Sequence, residues 1–402
     1  MDVKTLKKLN YITLINDMGA FVVAPIMGVY LVNALGFSVA KVGIITSASF
    51  AANLIGSMLG NYLWKKINTK RLIYLSLLLQ AIGLLLFPFT KKLPILCGLY
   101  AMFGLGYCVG NLSIQTIISS YSPKENLTEL FAKRGMLSNV GISIGVLAGG
   151  ALGQITRYTI AFYIAGALFL LCILCFMNFS RKNSLQDKSI RVKENIRIGN
   201  TLKNRGYLLF NIVLLGFWSG YSWFSLNIPI FISGQFPKVN IGYVYCINTL
   251  VIVLLQVYLT RLFTKKISYL HIIQIGCIVM AIAFLIFWIS GEIASISVLL
   301  IGIVIFTVSE ILTAPIIPTY VSSITPEGEA SNYMTILSIF KYIGLSLGNL
   351  GGGILTDKVK EMNFDSHQIW MLYFVLMTFF CFLLMGYVLQ NKSQIAKGEV
   401  QI

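Results

Sequence analysis

The chain has 402 residues, 57% of them hydrophobic and only 11% charged, so a soluble domain is excluded for want of polar surface to cover its core. Its formal net charge is +17, yet the Lys and Arg residues stand in short clusters between apolar runs rather than along one solvated face, which argues against nucleic acid. The solvent for most of this chain is lipid.

A membrane-crossing helix needs about 20 mainly apolar residues. On that length six spans are expected in the first half, near 11–34, 42–63, 72–89, 94–117, 135–155 and 159–179. The first follows the basic start MDVKTLKK and is too long for the apolar stretch of a signal peptide, so it reads as a retained helix. Residues 180–206 are polar and basic, with Arg181, Lys182, Lys188, Arg191, Lys193, Arg197, Lys203 and Arg205, and read as a linker. Six further spans follow near 207–233, 241–261, 270–290, 295–321, 333–355 and 368–389. The expected fold is an all-α membrane protein of twelve transmembrane helices in two six-helix bundles, 1–179 and 207–402, joined by the linker 180–206.

With the N-terminus inside, 23 of the 31 Lys and Arg residues fall on the cytoplasmic side and seven outside. That bias predicts a multi-pass inner-membrane protein with both termini cytoplasmic. The seven cysteines all lie in apolar runs, and Cys172-x-x-Cys175 has no His or acidic neighbour, so packing rather than redox or metal chemistry is expected.

The halves repeat. Ile118-Ser-Ser-Tyr-Ser-Pro123 recurs as Val321-Ser-Ser-Ile-Thr-Pro326, and Lys65-Lys66-Ile67 as Lys265-Lys266-Ile267, at offsets of 203 and 200. A glycine ladder, Gly141, Gly145, Gly149 and Gly150, recurs as Gly344, Gly348, Gly352 and Gly353, again offset by 203. Glycines at this spacing let two helices approach closely. A duplicated six-helix unit places a site near the bilayer midplane, between halves that rock against each other.

Catalytic motifs are lacking: there is no G-x-x-x-x-G-K-[ST], no H-E-x-x-H and no G-x-S-x-G, and His271 and His367 are isolated near helix ends. The reading is therefore not an enzyme, with no cofactor and no metal. Three ionisable residues do lie inside spans: Asp17, Glu310 and Lys341. A charge at membrane depth costs about 2.5–3.5 kcal/mol on insertion scales, so such residues face a cavity, a partner or a proton path. Glu310, near the middle of its span, is the leading proton-coupling candidate, with structural pairing as the alternative. Lys341 at similar depth is either its partner or a snorkelling lysine. Asp17, beside Asn16, is a second proton or cation site, or a polar contact near the cytoplasmic mouth.

Polar stripes mark faces turned away from lipid. Trp218, Tyr221, Ser222 and Ser225 share one face of the seventh span, Cys108, Asn111 and Gln115 one face of the fourth, and Tyr245 and Asn248 one face of the eighth. Each either touches substrate or bonds helix to helix.

Gly141-x-x-x-Gly145-Val146-x-x-Gly149-Gly150 resembles the fifth-helix signature G-x-x-x-G-P-x-x-G-G of twelve-helix drug:proton antiporters of the major facilitator superfamily, with Val146 in the proline slot and Asn349 in its repeat. Pro25-Ile-Met-Gly28-Val-Tyr30 looks like that group's first-helix P-x-x-P-x-Y, and Glu310-Ile-Leu-Thr-Ala-Pro315 like the tenth-helix region of multidrug exporters, whose glutamate takes part in proton coupling. The 2–3 loop, Gly60 to Arg71, resembles G-x-x-x-D-R-x-G-R-[RK] with Trp64 or Lys65 in the aspartate slot. The resemblance implies a monomeric, proton-coupled exporter of small amphipathic compounds (drugs, or a siderophore-like or lipid metabolite), with a small-molecule substrate, protons or another coupling ion, and the lipid bilayer as partners. The same architecture also serves uptake symport of a small nutrient, and a non-transporting receptor is the reading from a different class.

Overall fold

The computed structural model describes residues 3–121, 124–182, 201–326 and 329–390. Among these residues the chain forms α-helices and no strand. In order they are α1 (Val3–Val29, continued by a π-helical turn Tyr30–Ala34), α2 (Val39–Lys66), α3 (Thr69–Leu85), α4 (Leu93–Tyr121), α5 (Lys124–Gln154) and α6 (Tyr158–Lys182). There follow α7 (Arg205–Gln235), α8 (Ile241–Thr264), α9 (Tyr269–Glu292), α10 (Ile296–Thr313), α11 (Ile316–Ile324), α12 (Ala330–Glu361) and α13 (Gln368–Gln390).

Among the described residues eleven stretches are long and apolar enough to cross a membrane, α10 and α11 counting as one. The expected twelfth, 333–355, falls within α12, which has the length but also Asn332, Lys341, Asn349, Asp357, Lys358 and Lys360. It fails on composition alone. The expected span 295–321 is broken at Ala314–Pro315, where the proline ring cannot continue the helical ladder. A second difference lies between the fourth and fifth spans. The expected loop 118–134 is mostly helix, because α4 runs to Tyr121 and α5 begins at Lys124. Most of the linker 180–206 lies outside the described residues; of it, Asn204 caps α7 by accepting the Tyr207 N–H at 3.0 Å. The side chains of 60–66, which carry most of the 2–3 loop resemblance, also lie outside the description.

Contacts divide the chain into two compact units, one of Met1–Lys193 with Lys238–Cys246, the other of Glu194–Pro237 with Ile247–Ile402. In the first, α1 packs along α5 and α6, and α4 packs on α2 and α3. Its core includes Leu9, Ile12, Ile73, Leu77, Ile117 and Phe176. In the second, α12 packs along α7, and α9 packs on α10 and α13. Its core is aromatic: Phe224 stacks on Phe306 with centroids 3.8 Å apart, and Trp223 on Tyr373 at 4.5 Å.

The glycine ladders explain both long helix pairs. A methyl group on Gly145 would stand 2.6 Å from the Met18 carbonyl oxygen, and Gly141 and Gly149 press on the carbonyls of Leu14 and Val22. In the second unit Gly344, Gly348 and Gly352 press in turn on Trp218 and Leu215, on Ser219, and on Trp223. Van der Waals packing and close backbone approach, rather than hydrophobic expulsion, hold such pairs together in lipid. The ladder on α5 meets α1 as its repeat on α12 meets α7. The duplication in sequence is thus a duplication of one helix–helix contact.

Candidate functional site

In the first unit the α1–α5 contact carries a carboxylate. Asp17 is 1% exposed. The Tyr107 hydroxyl, from α4, donates to its Oδ1 at 3.0 Å, and the Ser138 hydroxyl, from α5, donates to its Oδ2. Arg134, one turn before Ser138, donates from Nη2 to Asn111 Oδ1 at 2.6 Å and lies within the electrostatic reach of Asp17. Asn16 is buried beside them with its Oδ1 unpartnered. Gln115 stands one turn beyond Asn111 on α4 and is half-buried. Cys108, expected on the same face, instead donates to the Asn53 carbonyl of α2 at 3.4 Å.

The second unit holds the other carboxylate. The Tyr221 hydroxyl of α7 donates to Glu310 Oε1 at 3.2 Å. The Asn248 amide of α8 donates to Glu310 Oε2 at 3.2 Å and to Thr307 Oγ1 at 2.9 Å. Both oxygens of Glu310 are therefore met by neutral donors. Lys341 is near enough to interact with its charge. Among the described residues, however, the contact within 4 Å between a basic and an acidic side chain is His367 Nε2–Glu292 Oε1, at 3.0 Å, and not Glu310–Lys341. The Lys341 ammonium lies over the Trp218 ring instead, 5.0 Å from its centroid, a cation–π contact. The ladder brings them together: Gly344, one turn past Lys341, lets α12 come so close to α7 that a methyl group there would stand 2.7 Å from Trp218 Cβ.

The seventh-span stripe divides. Trp218 and Tyr221 turn toward the charged pair, their rings 6.5 Å apart. Ser222 is fully buried and spends its hydroxyl on the Leu345 carbonyl at 2.9 Å and on Asn349 Oδ1. Ser225 bonds back to the Ser222 carbonyl at 3.0 Å. Of the two roles open to Ser222, substrate contact or a helix-to-helix bond, the structure shows the bond, made in part to the asparagine that occupies the proline slot of the repeat. Tyr245 lies one turn before Asn248 on α8 and is half-buried.

Tyr107, Arg134 and Ser138 were not among the candidates read from sequence. Two signals pointed to them. Arg134 and Ser138 extend the ladder backwards at intervals of four and three from Gly141, and Tyr107 stands 203 residues before Glu310, the ladder's own offset. At an offset of 201 Asp17 corresponds to Trp218, and at the ladder's 203 Ser138 corresponds to Lys341. The two units therefore draw a tyrosine and a carboxylate from corresponding helices with the roles exchanged, although Tyr221 stands one turn past Trp218, the counterpart of Asp17. In the first, a tyrosine on α4 donates to a carboxylate on α1; in the second, a tyrosine on α7 donates to a carboxylate on α10. A carboxylate buried in a span and held by neutral donors is equipped to exchange a proton without separating an ion pair. Among the described residues no three His, Cys, Asp or Glu side chains gather as a metal site would need.

The family model described as Major Facilitator Superfamily matches residues 9–349. The chain is 23% identical over 354 residues to the uncharacterized MFS-type transporter YqjV of Bacillus subtilis, covering 86% of this chain and 84% of that protein. It is 22% identical over 362 residues to the multidrug resistance protein MdtH of Blochmanniella floridana, covering 88% of each. In structure it is similar to the nucleoside transporter NupG, with a TM-score of 0.79 over 96% of this chain and 99% of that one at 14% identity, a likeness of fold.

Proposed function

This chain belongs to the Major Facilitator Superfamily and is a membrane transporter, and from that premise we propose that it is a proton-coupled exporter of small amphipathic compounds. The observation that carries the reading is Glu310, buried in a span, hydrogen-bonded on both oxygens by Tyr221 and Asn248, with a lysine in electrostatic reach but not paired to it. The similarity to a protein named for multidrug resistance supports the substrate class.

In the proposed cycle Glu310 takes a proton from the outer side of the cell membrane, both termini lying in the cytoplasm. Neutralising Glu310 removes its pull on Lys341, which stays on the Trp218 face, and the shift favours substrate release. Loss of the proton inward resets the site. Asp17 serves as the second proton or cation site, held by Tyr107 and Ser138 with Arg134 as the nearby fixed charge. Trp218, Tyr221 and Asn248 in the second unit, and Asn16, Asn111, Gln115 and Tyr245 in the first, offer the aromatic and polar surface that an amphipathic solute requires.

Substrate-induced proton release from the purified protein in detergent tests the proposal, with cationic, neutral and anionic amphiphiles compared for wild type and Glu310→Gln. The expected result is release with one class and its loss in the variant. Full gradient-driven transport by Glu310→Gln sinks the proposal.

A further inference from the structure

A cavity of about 470 Å³ opens between α1 and α6, at the end where α1 begins and α6 finishes, and the transport cycle makes no use of it. Lys8, Tyr11 and Ile15 stand along one stripe of α1, and Cys175 and Asn178 along one stripe of α6. Ile12 and Phe179 form the floor, continuous with the core of the first unit. Lys133, from α5, does not line the cavity but adjoins its Tyr11 wall: its ammonium lies 5.6 Å from the centroid of the Tyr11 ring. Arg181 is exposed three residues past Asn178. In the other direction the α6 stripe continues through Leu174 and Leu171, which are 61% and 43% exposed.

The cavity thus carries the cation Lys8, with Lys133 beside its Tyr11 wall, and is apolar along its length; among the described residues no acidic side chain lines it. Basic groups and an amphipathic aromatic at the end of spanning helices match the headgroup level of a bilayer. A free anion would find the cations but have no use for the apolar wall. A neutral hydrocarbon would fill the wall but leave the lysines unmatched.

We propose that this groove is a binding site for one anionic glycerophospholipid. The headgroup phosphate lies between Lys8 and Lys133, with Tyr11 at the ester level, and an acyl chain runs past Ile15 and Cys175 along Leu174 and Leu171. Neither Glu310 nor Asp17 lines the site, so it holds or fails independently of the coupling mechanism.

The test uses the full chain in mild detergent, titrated with phosphatidylglycerol or phosphatidylethanolamine of the same acyl composition and read by native mass spectrometry. One phosphatidylglycerol is expected to be retained in preference to phosphatidylethanolamine. Lys8→Gln with Lys133→Gln is expected to weaken retention by about 25-fold, about fivefold per lysine, while the paired arginine variant keeps it. Bound phosphatidylglycerol is also expected to protect Cys175 from N-ethylmaleimide, read on its peptide. Equal retention of the two lipids, or an unchanged preference in the double glutamine variant, overturns the proposal. Displacement by millimolar inorganic phosphate assigns the site to a free anion and overturns the lipid. Retention without Cys175 protection moves the lipid elsewhere and overturns this groove.

Discussion

Replacing Gly348 by alanine places a methyl carbon 2.6 Å from Ser219 Cα, 2.7 Å from its carbonyl oxygen and 2.9 Å from Ser222 Cβ. Carbon atoms rest at about 3.5–4.0 Å, so α12 must withdraw from α7 by roughly 1 Å. Backbone atoms of a packed helix cannot rotate aside, and overpacking of this kind costs about 1–3 kcal/mol. The withdrawal also stretches the bonds from Ser219 to the Gly344 carbonyl, 3.1 Å, and from Ser222 to the Leu345 carbonyl, 2.9 Å, each of about 1 kcal/mol. Alanine returns up to about 1 kcal/mol in helix propensity. The net loss is about 2–4 kcal/mol, or a fall of about 4–16 °C in midpoint for a bundle of this size.

A thermal ramp in detergent reads that loss through a thiol-reactive dye, because Cys277 and Cys381 are buried in the same unit, 3% and 9% exposed. Gly351→Ala is the control. It lies three residues away on the same helix with nothing within 4 Å of a methyl group, so it is expected to be neutral or slightly stabilising. If Gly351→Ala lost as much as Gly348→Ala, or Gly348→Ala lost nothing, close backbone approach would not be what joins these helices.

Two further outcomes follow from the sites. Ser222→Ala removes the bonds to Leu345 and Asn349 and is expected to cost about 1–3 kcal/mol in the same ramp while leaving the order of substrate preferences unchanged; a changed order would return Ser222 to the substrate surface. Arg134→Gln removes a guanidinium from Asn111 and from the neighbourhood of Asp17. Transport into proteoliposomes is expected to fall by about tenfold or more, from about 1.5–3 kcal/mol for a charged hydrogen bond, with partial recovery in Arg134→Lys, which keeps the charge but not the planar fork. Wild-type transport by Arg134→Gln would reduce Arg134 to a surface charge.

Much of the fold was legible because lipid imposes simple rules. Runs of about 20 apolar residues located the membrane-crossing stretches to within a few residues, except at α12, whose polar content sets it apart; they missed the break at Ala314–Pro315 and the polar start of α5, at Lys124. The glycine ladders were legible as packing surfaces, since only small residues at that spacing admit a second backbone. Asp17, Glu310 and Lys341 stood out because a charge is costly in a span and needs a reason to be there.

What each charge touches was decided by tertiary structure. Distance along the chain says nothing of how α4, α5 and α1 converge, so Tyr107, Arg134 and Ser138 stayed unremarked, and Arg134 was assigned to a loop that is helix. Equal depth suggested that Lys341 pairs with Glu310. Depth is one coordinate, and the rotation of α12 set by Gly344 and Gly348 against α7 is another; that rotation lays Lys341 over Trp218 and leaves Glu310 to Tyr221 and Asn248. Ser222 differs from Tyr221 by one residue, about 100° around a helix of 3.6 residues per turn, and that angle separates a side chain held against α12 from one that meets a carboxylate. Hydropathy and periodicity could read from sequence where the chain lies in the bilayer; which polar groups meet depended on how closely, and at what rotation, the glycines let the helices come together.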